Sequence, residues 1–351
     1  MSTVWPFPAV STGVGSMPGT HPHEASNVVA GEFAALPHVV ELPARGPGAD
    51  PIGRSAAMLA AVDRSFEVET TTSGWRVGHA GQTVLSRAHS WLAHDLESLE
   101  ECAPAHRGPI KIQVVGPMTI AARVEDPAGE ALLRDHGAVA EVASAAASAY
   151  SDLVARMRRS FPHADVLVQV NEPDVPAILV GRVRTSSGRL THRSVEPHIV
   201  QAHLAEVMNG IRAAGAAPGI RCFKPAPPVQ LFVDAGANFL CVDINQELPG
   251  DQALPQMWEQ GVRLLLGCVP VSDAHLTDTS ASAPMRRFME ESGFPEVPVN
   301  VAITPSAGLA HVDMATARRV IAACVRVGAI LRDELVRGER DEQPEVAHGQ
   351  V

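Results

Sequence analysis

Short runs of apolar and β-branched residues recur along the chain, each closed by Gly, Pro or a polar side chain and followed by residues with helical spacing. Eight such runs stand out, at residues 11–16, 38–42, 110–115, 165–170, 219–223, 238–243, 263–269 and 298–304. Helical spacing marks 22–35, 51–63, 127–159, 194–214, 227–235, 251–260, 282–292 and 313–335. Near-continuous hydrophobic strands alternating with helices predict a parallel sheet covered on both faces. Eight strand–helix units in 351 residues predict an α/β fold, a (β/α)8 TIM-type barrel forming a single domain.

Two segments fall outside that alternation. Residues 65–83 contain strand-like runs broken at Ser73-Gly74 and predict a small β-hairpin insertion. Residues 182–193 have similar turn chemistry directly after the fourth strand, where a barrel builds its active-site loops. The domain is expected over residues 1–337, with the polar, aperiodic stretch 338–351 as a disordered tail.

Composition narrows the class. Hydrophobic residues make up 46% and charged residues 19%, and no apolar run reaches the roughly 18 residues of a bilayer span. Residues 1–19 lack a basic stretch followed by a continuous apolar one, so no signal peptide is read there and a cytoplasmic protein is expected. A formal charge of -11 argues against binding nucleic acid by bulk attraction. The one arginine-rich stretch, Arg156 to Phe161, reads as the solvated end of a helix. Cys102, Cys222, Cys241, Cys268 and Cys324 are odd in number and widely spaced within apolar segments, so reduced thiols are expected. The expected partner is a small-molecule substrate, and the apolar faces of 313–335 suit either barrel packing in a monomer or a homodimer.

Catalytic and binding groups of a barrel come from the C-terminal ends of its strands, which limits the search to eight places. After the first strand, Gly13, Gly15 and Gly19 allow a tight turn in which Ser16 presents a hydroxyl and an amide, fit either for an anion or for an ordinary capped turn. Glu41 ends the second run, where it could hold a ligand amino group or pair with Arg45. Gly116-Pro117 turns the chain after the third strand, ahead of Thr119. Asn171 and Glu172 close the fourth strand ahead of Pro173, and a carboxylate there is costly to bury without a partner, which points to function. The remaining strands end at Cys222-Phe223-Lys224, Asp243, Cys268 and Thr304. Thiols and a carboxylate on consecutive strands could hold zinc, although single cysteines are more often core residues.

With these stretches in view, the chain resembles the catalytic barrel of the cobalamin-independent methionine synthase family, and more closely its short, single-barrel actinobacterial-type relatives. The matching stretches are GVGSMPG, GPMTIAA, VQVNEPDVP, CFKPAPPVQLFVDAGANFLCVD and ITPSAGLAH, in the family's order across nearly the whole chain. The resemblance implies a methyltransferase that moves a methyl group from a methyltetrahydrofolate-type donor to a thiol such as homocysteine, held as thiolate on zinc. It implies substrate contacts from Gly15 and Ser16. Asn171 stands where the family has an Asp, and Glu172 is retained. Of the family's zinc ligands Cys222 has its counterpart; Ile220 and Arg221 stand where a His is expected, Asp243 replaces a Glu, and Ala307 replaces a Cys. The family's proton-donor His has no counterpart unless His275 moves in, and the Trp expected after GPMT is replaced by Ala121-Ala122-Arg123.

The degenerate metal set, Cys222 and Asp243, keeps three readings open. One is a zinc methyltransferase with Cys268 or His311 as replacement ligands. The second is a zinc-less barrel in which Arg221, Lys224 and Arg45 act as fixed positive charges on a small anionic metabolite. The third is a non-catalytic paralogue.

Overall fold

A computed structural model describes residues 9–248, 253–271, 277–291 and 301–341. Within them the strands β1 (Val10–Ser11), β4 (Ile110–Val115), β6 (Val166–Asn171), β7 (Ala217–Cys222), β8 (Phe239–Asp243), β9 (Arg263–Val269) and β10 (Val301–Pro305) form one sheet. Its order is β1-β10-β9-β8-β7-β6-β4, and every neighbouring pair is parallel.

The second predicted strand is present only as isolated bridges, yet it completes the wall. Val39 N donates to Lys111 O at 2.9 Å on one side, and on the other Glu41 N donates to Gly15 O at 3.1 Å and Met17 N to Glu41 O at 2.8 Å. Residues 37–41 therefore lie between β4 and the continuation of β1, closing an α/β barrel of the kind predicted.

Helices cover the outside: α1 (Pro22–Glu32), α2 (Pro51–Val62), α3 (Gln82–Cys102), α4 (Pro117–Arg123), α5 (His136–Ser160), α6 (Val175–Leu179), α7 (Pro197–Ala213), α8 (Val229–Asp234), α9 (Ala253–Glu259), α10 (Asp278–Glu291) and α11 (Met314–Asp341). The helix expected over 127–159 begins only at His136. Asp135 caps it, its Oδ1 accepting from Gly137 N at 2.8 Å, and 127–135 holds only a single 3-10 turn, Leu132–Arg134. Helix α3 is an element the periodicity reading left out. Helix α11 runs through 338–341, where the tail was expected to start; residues 342–351, like 298–300 and His275, lie outside the described residues. No helix is long and apolar enough to cross a membrane among the described residues.

The insertion is a hairpin, β2 (Val68–Thr70) against β3 (Trp75–Val77), turning at Thr71–Gly74 as predicted, with β5 (Val124–Glu125) added parallel to β3. Trp75 Nε1 ties it to Asp50 Oδ1 at 3.1 Å, at the start of α2.

Strand side chains alternate between the helix layer and the barrel interior. The outward set joins the helices in the main core. The inward set forms a small apolar cluster, Val10, Leu36, Leu167, Ala217, Phe239, Leu265 and Ala302 with Cys241, near the strand starts. Gly219 leaves room for it, since a Cβ there would lie 2.3 Å from the Phe239 ring. Above this plug the interior is polar.

Candidate functional site

Strand parity decides which side chains reach that polar interior. On β4, Lys111 and Gln113 are two residues apart and face inward; on β6, Gln169 and Asn171 do the same. Lys111 Nζ donates to Gln169 Oε1 at 2.9 Å, and Gln169 Nε2 donates to Asn171 Oδ1 at 2.9 Å and to Val14 O at 3.1 Å. That last bond crosses the barrel, because β4 and the closing segment stand between β6 and the first strand. Gln113 Nε2 donates to Val39 O at 2.7 Å. Gly15, at φ +127°, is the residue that lets the first-strand turn pass over Gln113: a Cβ there would sit 2.5 Å from its side chain.

Arg221 pairs in register with Asn171 on one side and Cys241 on the other, which fixes it on the inner face. Its guanidinium lies over the Phe223 ring, 4.0 Å from the centroid. Among the described residues it has no ion-pair partner within bonding distance, and its Nε is buried without an acceptor. Burial draws its proton affinity down, opposed by Cys241, Glu41, Cys222 and Asp243.

Glu41 is buried on the same side of the barrel wall. Burial raises its carboxyl above the ordinary value, and the positive charges of Arg54 and Lys111, the Gln113 amide and Arg221 hold it back. Lys111 is fully buried; burial lowers it to about 8, with Cys241 and Glu41 opposing and Arg221 adding to the fall. Glu41 and Lys111, from the closing segment and β4, thus feel Arg221 and Cys241, from the paired strands β7 and β8, as groups sharing one interior do.

Parity also separates residues that are neighbours in sequence. Glu172 follows inward-facing Asn171 and faces the helix layer. Its Oε1 accepts from Met118 N at 3.0 Å, and its Oε2 from Thr119 N at 2.8 Å and Thr119 Oγ1 at 2.6 Å. Both oxygens serve the first turn of α4, and the carboxyl is fully buried, pushed up to about 8 by burial against those three donors. Glu172 is brought to α4, not to the interior with Asn171, Glu41 and Arg221.

Cys222 follows Arg221 and likewise faces outward, packed in the main core at 1% exposure with its thiol pushed up to about 12 by burial. Cys268 is in the same core. The thiol on the inner face is Cys241, raised to about 11 by burial. Asp243 is at the mouth, but its Oδ1 accepts from Asn245 N at 3.0 Å and Asn245 Nδ2 at 2.8 Å, and its Oδ2 from Gln246 Nε2 at 3.3 Å. No group of three or more His, Cys, Asp or Glu side chains is arranged to hold a metal among the described residues. The donor set expected for zinc, Cys222 with Asp243, therefore does not fit a zinc ion: Cys222 lies on the helix side of the wall in the main core, and the Asp243 carboxylate is already bonded on both oxygens.

Ser16 is at the rim, its oxygen against Gly308, and its carbonyl accepts from Leu309 N at 3.0 Å. Beside the loop after β8 a cavity of about 450 Å³ opens, lined by Ile244, Gln246, Leu254, Arg287 and Phe288. Arg45 is not at the mouth: it is buried against Asp95 at 2.8 Å. Lys111, Gln113 and Gln169 are interior groups the strand-end inventory missed. Polar residues at period two inside the apolar runs IKIQVV and VLVQVN were the available signal.

The class defined by this architecture is the parallel α/β barrel with a polar interior opening at the C-terminal ends of its strands. No protein-family profile matches the chain, and no curated protein does. Among solved structures it is similar to a B12-independent methionine synthase from Shewanella, in complex with selenomethionine, at TM-score 0.59 and 10% identity, covering 94% of this chain and 99% of that one. It also overlaps a GH5_18 protein from Streptomyces cattleya at TM-score 0.48 and 12% identity, over 96% of this chain and 82% of that one, and a β-glucosidase at TM-score 0.43 and 12% identity. At such identity the likeness to the methionine synthase is one of fold.

Proposed function

We propose that the protein is a barrel enzyme of small carboxylate-bearing metabolites, which it binds at the strand mouth without zinc. The observation that carries this reading is Arg221: a guanidinium on the inner face, stacked on Phe223, with no ion-pair partner among the described residues. An unpaired, partly desolvated arginine is costly to keep, and a planar carboxylate matches its fork of donors. Glu41 and Asn171 on the same face give a ligand amino or hydroxyl group an acceptor, and the Gly15-Ser16 turn adds donors at the rim. In this arrangement the protein supplies fixed charge where a metal would otherwise polarise the substrate.

A second reading, methyl transfer from a methyltetrahydrofolate-type donor to homocysteine or another thiol, is supported by the end-to-end fold likeness to a methionine synthase and by the Gly15-Ser16 turn. Its zinc would need ligands other than Cys222 and Asp243.

Calorimetric titration of the purified protein with a panel of amino acids, 2-oxo acids and hydroxy acids, before and after chelation, tests the first reading. At least one carboxylate is expected to bind in both preparations. Arg221→Met is expected to weaken it by about tenfold or more, the scale of a charge-assisted hydrogen bond at about 1.5–3 kcal/mol. Binding of homocysteine alone, lost with the metal, would move the conclusion to the second reading.

A further inference from the structure

The chain carries 28 Lys and Arg residues, and only Lys111 and Lys224 are lysines. Lys224 is exposed just past β7, whereas Lys111 is fully buried in the barrel. Unlike the guanidinium of arginine, which this protein uses nearly everywhere else, a buried lysine amine can give up its proton. The Lys111 amine has three possible donor positions and one hydrogen-bond acceptor, Gln169 Oε1 at 2.9 Å, and no carboxylate lies within ion-pair distance among the described residues. An ammonium so poorly matched is expensive to bury, and burial draws Lys111 down to about 8.

The amine also has company. Glu41, Arg221 and Cys241 lie near enough to act on it electrostatically. A hydrogen-bonded column, Lys111 to Gln169 to Asn171, runs from it to the mouth. Thr12 Oγ1, Gln113 Oε1 and Arg221 Nε are buried with no partner, so polar capacity in the barrel strands is left for something other than the protein to fill.

We infer that Lys111 is a nucleophile that forms an imine with a 2-oxo acid whose carboxylate is held by Arg221. This rests on the reading of the mouth as a carboxylate site and names the substrate class. The amine lone pair attacks C2, a C–N bond forms, and the carbonyl π pair moves to oxygen, which takes up a proton from nitrogen. The Glu41 carboxyl then gives its proton to the hydroxyl. The C–O bond breaks, water leaves, and the nitrogen lone pair closes the C=N bond. The products are an iminium, one water and the Glu41 carboxylate beside the new positive charge, with no net oxidation. Opening the Gln169–Asn171 amide bridge admits the substrate to the amine, and a lysine desolvated in this way is the usual form of an imine-forming group.

Incubating the full-length protein with pyruvate or glyoxylate and cyanoborohydride, followed by peptide mass mapping, tests the inference, and with two lysines the map is simple. The expected result is saturable reductive alkylation of Lys111, exceeding that of Lys224 by tenfold or more. Lys111→Arg should abolish it, and Arg221→Met should slow it about tenfold at low oxo-acid concentration. Absence of a Lys111 adduct in the unmutated protein, or modification of Lys224 at an equal rate, overturns the imine. Because that result needs no variant, a misfolded mutant cannot mask it. If carboxylates still bind through Arg221 in the titration, the imine alone has failed; if they do not, the binding reading has failed with it.

Discussion

Asn171-Glu172 and Arg221-Cys222 are two pairs in which adjacent residues serve opposite sides of one wall. A strand has a side-chain period of two, so the residue after an interior group must face the helices. Glu172 consequently has a structural task that its sequence context hides: it accepts the Met118 and Thr119 amides and the Thr119 hydroxyl at the start of α4. Glu172→Gln retains one acceptor oxygen and turns an amide donor toward those donors. A loss of about 1–3 kcal/mol is expected, the cost of one unsatisfied buried polar group, with the affinity of the Arg221 site unchanged. Chemical denaturation and carboxylate titration on the same preparation check this. A tenfold loss of affinity at unchanged stability would return Glu172 to the binding site. The acidic character of the strand end was legible in the sequence, but its direction was not, because a mouth residue and a helix clamp share the same residue types. Cys222 shows the converse: the motif invites a metal ligand, and alternation against Arg221 makes it a core thiol.

Element by element, the strands were the easiest to read and α3 was the miss. Its apolar positions Leu85, Ala88, Leu92, Leu96 and Leu99 follow helical spacing, but fourteen of its other residues are polar or small, and the stretch directly follows the hairpin insertion, where the strand–helix alternation is interrupted. The helix matters because its buried Asp95 sits between two arginines. Asp95 Oδ2 accepts from Arg45 Nη2 at 2.8 Å and from Arg54 Nη1 at 3.3 Å, and Arg54 Nη1 also donates to Val40 O at 3.0 Å. One carboxylate thus ties α3 to α2 and, through Arg54, to the segment that closes the barrel. Replacing it strands two buried guanidinium groups. Asp95→Ala is expected to cost about 3–5 kcal/mol, as for other buried pairs broken from one side, measured by denaturant unfolding. An effect below about 1 kcal/mol would show that water already satisfies the arginines.

For the whole molecule, the polar interior sets a pH signature that distinguishes it from a barrel filled with apolar side chains. A lysine whose folded value lies near 8, below its unfolded 10.5, binds fewer protons in the native state than in the unfolded one between those limits. Stability from this group therefore rises with pH from about 8 to about 10.5, and below 8 its full cost is present. The total rise amounts to about 3 kcal/mol at 1.36 kcal/mol per pH unit. Glu172 acts in the opposite sense and in another window: its folded value near 8 lies above the unfolded 4.5, so its contribution falls as the pH rises between them. The two windows meet near pH 8, and a difference between proteins separates them. Lys111→Met keeps the stem volume and removes the charge, so the variant is expected to be more stable than the parent below pH 8, with the gap closing toward pH 10.5. Unfolding free energies measured at pH 7, 8.5 and 10 on both proteins check the sign. A gap that stays constant across this range would mean that Lys111 remains an ammonium in the folded barrel, paired well enough to resist desolvation and unable to act as a nucleophile.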